Sequence, residues 1–334
     1  MSMIWCGGED IDFLQGQAPT IQTSSSTFRS AYARCGINNP PGSGSFIKSD
    51  QFTAQTSCWL SCQFAGDMGD LTGRQPYQNV IGFGQFSSQN CLSIGGNPSN
   101  GQKVTLYKYD GTTWTQLAAE GGASFVSGVH RFDIQLISYG SSATVNVYCA
   151  GVQIITFTGD VSVSGMSNTD CVVMGPLNTN GYGVTSEIMV TSDDSRAYLG
   201  LATLAVNNQG TTNDWTNNTY TNINGINYSD ANPTFSNTNG QDQQYEMNTL
   251  PSGSFAIPAV KISARSALGA GSAVSHLQLG YNSGGSVGFG SGSTKSPSGA
   301  YANLWQLDLT NPVISSAWTI SDVNSLQVDL RAET

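Results

Sequence analysis

The sequence predicts an all-β protein made of two β-sandwich domains in tandem, on three observations. Short runs alternate apolar and polar residues at a period of two, as in 129–136, 144–151 and 154–160, and that period buries one set of side chains while leaving the other in water. Only 10% of the residues are charged while Gly alone contributes 39, a balance poor in the residues that support exposed helices and rich in turn formers. At 334 residues the chain is also longer than one sandwich core normally needs.

The first domain is expected over 1–199. It opens with a strand at 3–6, and the acidic-apolar run at 10–14 reads as a second. Further strands are predicted at 45–47, 58–65, 79–86, 91–94, 104–109, 113–118 and 132–137, followed by 144–151, 154–160 and 186–196. Asp110-Gly111, between Tyr107 and Trp114, predicts a hairpin whose type I′ turn takes both residues at positive φ. Ala150-Gly151 takes the turn role in the next hairpin.

The boundary is expected near 198–208. Beyond it, 207–240 holds eleven asparagines. Trp215, Tyr220, Ile223, Ile226 and Tyr228 are too apolar for a freely solvated tether, so a long irregular connection held on a sandwich is expected. The second domain, 200–334, then shows strands at 245–250, 257–267, 273–279, 286–289, 300–307 and 326–332. Clean alternation at 260–265 and 326–331 suits neighbouring or facing strands of one small sandwich. A single helical turn is predicted at 321–325, with Ser321 as its N-cap.

Composition excludes several function classes. Net charge is −10 with no basic block, so no phosphate-neutralising surface is visible and nucleic acid is not an expected partner. No run of 18 apolar residues is present, so no membrane-inserted helix is expected, and the first residues lack a signal-peptide pattern, which predicts folding in a cytoplasm. Seven cysteines stand at 6, 35, 58, 62, 91, 149 and 171. An odd number without an export signal argues against a disulfide framework, and Cys149 and Cys171 read as small buried hydrophobes. Cys58 and Cys62 have a Cys-x3-Cys spacing but lack two further zinc ligands nearby.

Three segments carry a family resemblance: Ile-Trp-Cys-Gly-Gly-Glu-Asp-Ile-Asp-Phe at 4–13, the run 186–196, and 318–331 with its Ala-Trp-Thr and Val-Asn-Ser-Leu-Gln-Val. Together with the order of the strands between 129 and 196, they resemble bacteriophage virion structural proteins carrying a concanavalin A-like, laminin G-type jelly roll. The resemblance implies that 1–199 is the laminin G-like sandwich and 200–334 a virion assembly or appendage domain. It implies a structural protein of the tail or an appendage such as a fibre or sheath, located in the virion. Its partners would be copies of itself, other virion proteins and a glycan at the host surface. Capsid decoration, a head fibre, or a carbohydrate-binding lectin outside a virion are the alternatives.

Catalysis is not expected. Sandwich glucanases place Glu-x-Asp-x-Glu on one strand so that all three carboxylates share a face, whereas this chain has five Glu, at 9, 120, 187, 246 and 333, and no such motif. His130, with Arg131 and Asp133, could be written as a partial triad. The Gly-Ser runs at 42–44 and 290–294 lack the strand-to-helix turn that exposes a nucleophile, so His130 and Arg131 read as strand surface or satisfied core polars. No cofactor is expected. The resemblance allows calcium at Asp67, Asp70, Asp160, Asp170, Asp193 or Asp194, which offer oxygen ligands without the spacing of a defined loop. Candidate glycan or interface contacts are the loop aromatics Trp114, Tyr182, Trp215, Tyr220 and Tyr228.

Overall fold

The computed structural model describes residues 2–13, 15–16, 20–23, 32–38, 46–66, 78–97, 103–119, 128–175, 183–197, 200–223 and 230–334. The fold is all-β, and its contacts divide it into two units, Met1–Leu201 and Ala202–Thr334.

In the first unit the strands are β1 (Met3–Gly7), β2 (Gln15–Gly16), β3 (Thr20–Gln22), β4 (Gly36–Asn38), β5 (Ile47–Lys48), β6 (Cys58–Gly66), β7 (Gln78–Gly84) and β8 (Cys91–Asn97). They continue with β9 (Lys103–Tyr109), β10 (Trp114–Ala119), β11 (Gly128–Ile137), β12 (Ala143–Cys149), β13 (Val152–Gly159), β14 (Cys171–Gly175) and β15 (Gly183–Thr191). One sheet runs β13-β12-β11-β6-β15-β4-β3, with β1 also on β15, and the other runs β10-β9-β8-β7-β14-β5-β2. All the pairings are antiparallel. Period-two alternation turns Leu60, Phe64, Phe132, Ile134, Val145 and Val147 inward from the first sheet, and Ile81, Phe83, Leu92, Ile94, Leu106 and Met174 inward from the second; all are buried. Each such side chain contributes about 1.5–3 kcal/mol relative to exposure.

Three local expectations change. Of the run 10–14, Asp10–Phe13 is a 3-10 turn and not a strand, and Leu14 lies outside the described residues. Asp12 Oδ2 accepts the N–H groups of Gly8 and Glu9 at 3.0 and 3.3 Å, satisfying the backbone locally and leaving Phe13 edge-on against Trp5, centroids 5.5 Å apart. At Asp110-Gly111 only Gly111 has positive φ, 88°. The Asp110 carboxylate closes this turn instead, accepting from the N–H groups of Thr112 and Thr113 at 2.9 and 2.7 Å, the usual role of Asp in a turn. The turn at Ala150-Gly151 has both residues at positive φ, 49° and 82°.

The second unit contains β16 (Val206–Asn213), β17 (Asp242–Met247), β18 (Val260–Ser266), β19 (His276–Ser283), β20 (Ser286–Gly288), β21 (Thr294–Lys295), β22 (Ala302–Asp308), α1 (Ile320–Asn324) and β23 (Gln327–Glu333). Part of the expected irregular connection is thus a strand, β16, paired with β17. Strands β16, β17, β23, β19 and β20 form one sheet with β21 on β19, while β18 and β22 form a separate pair. Strands β18 and β23 therefore face each other across a core of Ile262, Leu277, Leu279, Tyr281, Trp318, Val323 and Leu326. Trp318 meets Tyr281 edge-on at 5.1 Å and donates its indole N–H to Asp308 O at 2.9 Å. The cap of α1 is Thr319, two residues before the expected Ser321, in a reciprocal capping box with Asp322 that satisfies two helix-end donors at once.

The other face of this sheet is held by polar groups. Gln244 donates to Asp329 Oδ2 at 2.6 Å and accepts from Asn282 and Thr211 at 2.8 and 2.7 Å, linking β16, β17, β19 and β23. Gly280, opposite Asp329 in the register, has no side chain for a reason: a Cβ there would lie 2.4 Å from the Phe289 ring. Arg331 stacks on Phe289 at 4.6 Å and holds Asp242. Burial pushes the Asp329 carboxyl up to about 6.

All seven cysteines are free thiols, and six are buried. Burial raises the thiols of Cys58, Cys62 and Cys171, and that of Cys91 to about 12, so none of these four is a thiolate at neutral pH. Alkylation of the native protein should label Cys149 at most, and denaturation should expose all seven; a native disulfide detected by mass spectrometry would contradict this. Asp329 gives a second expectation. Because its folded-state value lies above the usual 3.8, its contribution favours folding below about pH 4 and is lost as pH rises through 6. Unfolding followed between pH 4 and 7 should show this contribution falling with pH, and Asp329→Asn should remove on the order of 1–3 kcal/mol of that fall. An unchanged slope would mean that Asp329 does not titrate in this range.

Candidate functional site

The side of the first sheet that faces away from the core is built by strand alternation. On β6, Trp59, Ser61 and Gln63 alternate with core residues; on β11, Arg131, Asp133 and Gln135 do so; on β12, Thr144, Asn146 and Tyr148 stand on the same side. The register then aligns them in rows. One row runs Trp59, Gln135, Asn146, Thr156, and the next runs Ser61, Asp133, Tyr148, Gln153, each crossing β6, β11, β12 and β13.

The inner part of this face is locked. Arg131 grips Asp133, with contacts of 2.8 to 3.2 Å to both carboxylate oxygens, and also donates to the Ser195 carbonyl. Ser61 donates to Asp133, and the Ser195 hydroxyl lies 3.4 Å from the same oxygen. Asp133 is only 1% exposed, so its charge is neutralised by a guanidinium and by hydroxyl donors rather than by water. His130 falls on the opposite side, with Phe132, because adjacent strand residues point apart. The arrangement holds Ser195, and with it the 3-10 turn Ser195–Ala197, over the sheet.

That turn delivers Arg196. Its guanidinium lies 4.2 Å from the Tyr148 ring centroid and 5.2 Å from that of Trp59; the two rings stack on each other at 5.8 Å. Asp194 orients the guanidinium through contacts of 2.9 and 3.1 Å to Nε, and the same bonding holds the Asp194 carboxyl below its ordinary value. Outward from this stack the face opens. Asn146 donates to Gln135 at 2.9 Å and Gln153 donates to Asn146 at 3.1 Å, while Gln153 and Thr156 are exposed and Gln135 and Asn146 half-buried. The result is a polar shelf whose linked donors and acceptors span the two rows, edged by Arg196 over the buried Tyr148. Side-chain amides carry both functions at once, so the shelf can pair with a ligand that presents hydroxyl groups.

The aromatic residues singled out in the sequence lie elsewhere. Trp114 begins β10, stacks on Tyr109 at 4.6 Å and touches Phe46 and Tyr107, part of an apolar cluster on the second sheet. Trp215 packs against the core of the second unit and donates its indole N–H to Gln241 O at 3.1 Å. Tyr220 opens the 3-10 turn Tyr220–Asn222 and is half-buried. Tyr182 and Tyr228 lie outside the described residues. Of the acidic residues considered for calcium, Asp67 and Asp70 also lie outside them. Asp160 binds Lys108 and Ser162, Asp170 binds Gln51 and the Phe86 N–H, Asp193 binds the Ser2 N–H, and Asp194 binds Arg196. Among the described residues no three His, Cys, Asp or Glu side chains converge as a metal site would need. Trp59, Gln135, Asn146, Tyr148, Gln153 and Arg196 were not singled out. Alternation marks most of them as outward-facing, but only the register shows that they share one surface.

No known family model matches the chain, and no curated protein matches its sequence. Among solved structures, the chain is similar to a carbohydrate-binding module, CBM66, from Bacillus subtilis, at 11% identity over 56% of this chain and 98% of that one, with a TM-score of 0.36. It is similar to the alginate lyase Aly36B at 8% identity over 60% of this chain and 100% of that one, TM-score 0.37. It is also similar to a carbohydrate esterase, vb_24B_21, from the Shiga toxin-encoding bacteriophage phi24B, at 14% identity over 54% and 88%, TM-score 0.35. Likeness at this level says nothing of chemistry.

Proposed function

We propose that the chain is a non-catalytic, carbohydrate-binding β-sandwich protein that serves as a structural component of a bacteriophage particle, in its tail or another appendage. The observation that carries the carbohydrate reading is the shelf on the first sheet. Its Gln135 and Asn146 amides, with the Gln153 amide in the neighbouring row, offer paired donors and acceptors to the hydroxyl groups of a sugar, beside the Arg196 guanidinium that covers the buried Tyr148. The non-catalytic reading is supported by the Asp133 carboxylate being bound up with Arg131, Ser61 and Ser195, with His130 on the other side of the strand.

The virion reading is supported by the sequence resemblance at 4–13, 186–196 and 318–331, and by where those segments fall. The first two meet as neighbouring strands, with Met3 opposite Thr191 and Cys6 opposite Met189. The third supplies Trp318, α1 and most of β23. On this reading the first unit is the laminin G-like sandwich and the second the assembly or appendage domain. The partners are further copies, other virion proteins and a glycan on the host surface.

Two measurements test the proposal. Calorimetry or an array of bacterial surface polysaccharides should find a saccharide that binds the full chain, and the double substitution Asn146→Ala with Gln153→Ala should weaken it about tenfold, the worth of one or two hydrogen bonds, at unchanged melting temperature. Antibody labelling of purified particles should place the chain on the tail or an appendage. Binding that ignores the double substitution would overturn the shelf, and particles without the chain would overturn the virion role.

A further inference from the structure

We propose that two copies of the chain pair through β13, edge to edge and antiparallel about a two-fold axis at Phe157, so that their first sheets join and their polar shelves become one surface. This names the interface for the like-chain partner proposed above. The pairing stands on the strand itself, and only its service to a saccharide rests on the carbohydrate reading.

Strand β13 ends the first sheet, and among the described residues no strand pairs with its outer side. Sheets blunt such an edge with charge, proline, brevity or a bulge, because its free N–H and C=O groups accept another strand. β13 runs Val-Gln-Ile-Ile-Thr-Phe-Thr-Gly over Val152–Gly159, without a charge or a proline. Its one irregularity falls early. The register against β12 slips at Ile154, after which Ile155, Thr156, Phe157, Thr158 and Gly159 pair in order with Val147 through Ala143. Four of these five residues are β-branched or aromatic, the types that suit a strand. Beside β13 lies β10, the end of the second sheet, and its Trp-Thr-Gln-Leu-Ala-Ala is uncharged too. The other edges differ. β2, β3, β20 and β21 have two or three residues each, and β1 is buried almost throughout. β18 and β22 carry Lys261, Arg265 and Asp308. β16 is covered by its own connection, with Gln209 donating to Asn218 O at 2.6 Å and Asn218 to Asn213 O at 3.2 Å.

The occupant that fits this edge is a second copy. At a net charge of −10 two chains repel over much of their surfaces, and β13 lets them meet without opposing carboxylates. The nearest acid along the strand, Asp160, is already bound by Lys108 and by the Ser162 N–H. A two-fold axis perpendicular to the sheet pairs identical edges antiparallel in a closed dimer, and an axis at Phe157 uses all five regular residues. Ile155 then faces Gly159 of the second copy, Thr156 faces Thr158, and Phe157 faces itself. Phe157 is half-buried and shares the core side with Val145, so the two rings carry the apolar layer across the axis. The same axis keeps both outer faces on one side. The row of Gln135, Asn146 and Thr156 continues into Thr158 and Thr144 of the second copy, a pair whose hydroxyls lie 3.3 Å apart within each chain. A saccharide longer than one shelf is thereby offered two, and linkage alone strengthens its binding.

Sedimentation velocity of the full chain across the micromolar range should show a dimer. Thr156→Lys with Thr158→Lys sets like charges directly opposite each other twice and should weaken the dimer about tenfold or more. Thr156→Glu with Thr158→Lys sets opposite charges at the same pairs and should retain it. Both positions are exposed, so the melting temperature should change little in either variant. Phe157→Cys should give a covalent dimer on mild oxidation while the unsubstituted chain gives none. Opposed antiparallel residues place their Cα atoms about 4.5–5.5 Å apart, within the ~4.4–6.8 Å a disulfide spans, and this readout does not depend on how the charged variants fold. A monomer throughout that range overturns the proposal, as does a dimer that the like-charged variant leaves intact and Phe157→Cys fails to link. Dimerisation lost equally in both charged variants overturns the register about Phe157. The Asn146→Ala, Gln153→Ala chain should still dimerise, so an edge that does not pair and a shelf that binds no saccharide are read as separate failures.

Discussion

The first unit depends on one backbone irregularity in β15. Its register against β6 jumps between Ser186 and Met189, and Glu187, in the gap, has φ 51° while only 2% exposed. A left-handed conformation costs a residue with a side chain roughly 1–2 kcal/mol, and here it is held by a strand whose nine residues are all buried. The irregularity divides the strand into two halves. The first pairs with β4 through Val184 and Thr185, the second with β1 through Ile188 to Thr191. Two short strands thus share the side of β15 away from β6. The chain leaves β15 at Thr191 directed to place Ser195 over Asp133 and Arg196 over Tyr148 and Trp59.

The same economy governs charge. An acidic chain with only 12 Lys and Arg has few cations to spend on surface pairs, which contribute little in water. Several do structural work instead. Arg131 neutralises a buried carboxylate, Arg196 covers an aromatic pair, and Arg331 covers Phe289 while binding Asp242. A buried pair such as Arg131–Asp133 is weak evidence of net stability, but losing one partner leaves the other uncompensated at a cost of about 3–5 kcal/mol. The geometry of the shelf therefore rests on residues beneath it that need not touch a ligand.

The second unit reaches order by a different balance. Its apolar core is smaller, and the opposite face of the sheet is tied by amide and hydroxyl groups running from Thr211 through Gln244 to Asn282 and Asp329. Such a network specifies register only if its members are satisfied. Asp329 is the strained point, with one carboxylate oxygen bonded to Gln244 and the other buried without a partner, which is why its proton is held to a higher pH than usual.

What the sequence determined by itself was the strand content wherever one face is apolar. β12 and β18 stand out because Val145 with Val147 and Ile262 with Ala264 recur every second residue among polar neighbours, and burial of that face drives the extended form. β16 was not visible, because Val206–Asn213 is mostly Asn, Gln, Gly and Thr, and its pairing is supplied by partners distant in sequence. Asp10–Phe13 was misread for the converse reason: the alternation was present, but Asp12 satisfied the backbone locally and removed the need for a strand neighbour. Tertiary structure alone decided the sites. Gln135, Asn146 and Gln153 become neighbours only when register aligns three strands. Which side chains face outward is a local property of an alternating strand; which of them meet is set by long-range pairing, and no periodicity within a strand encodes it.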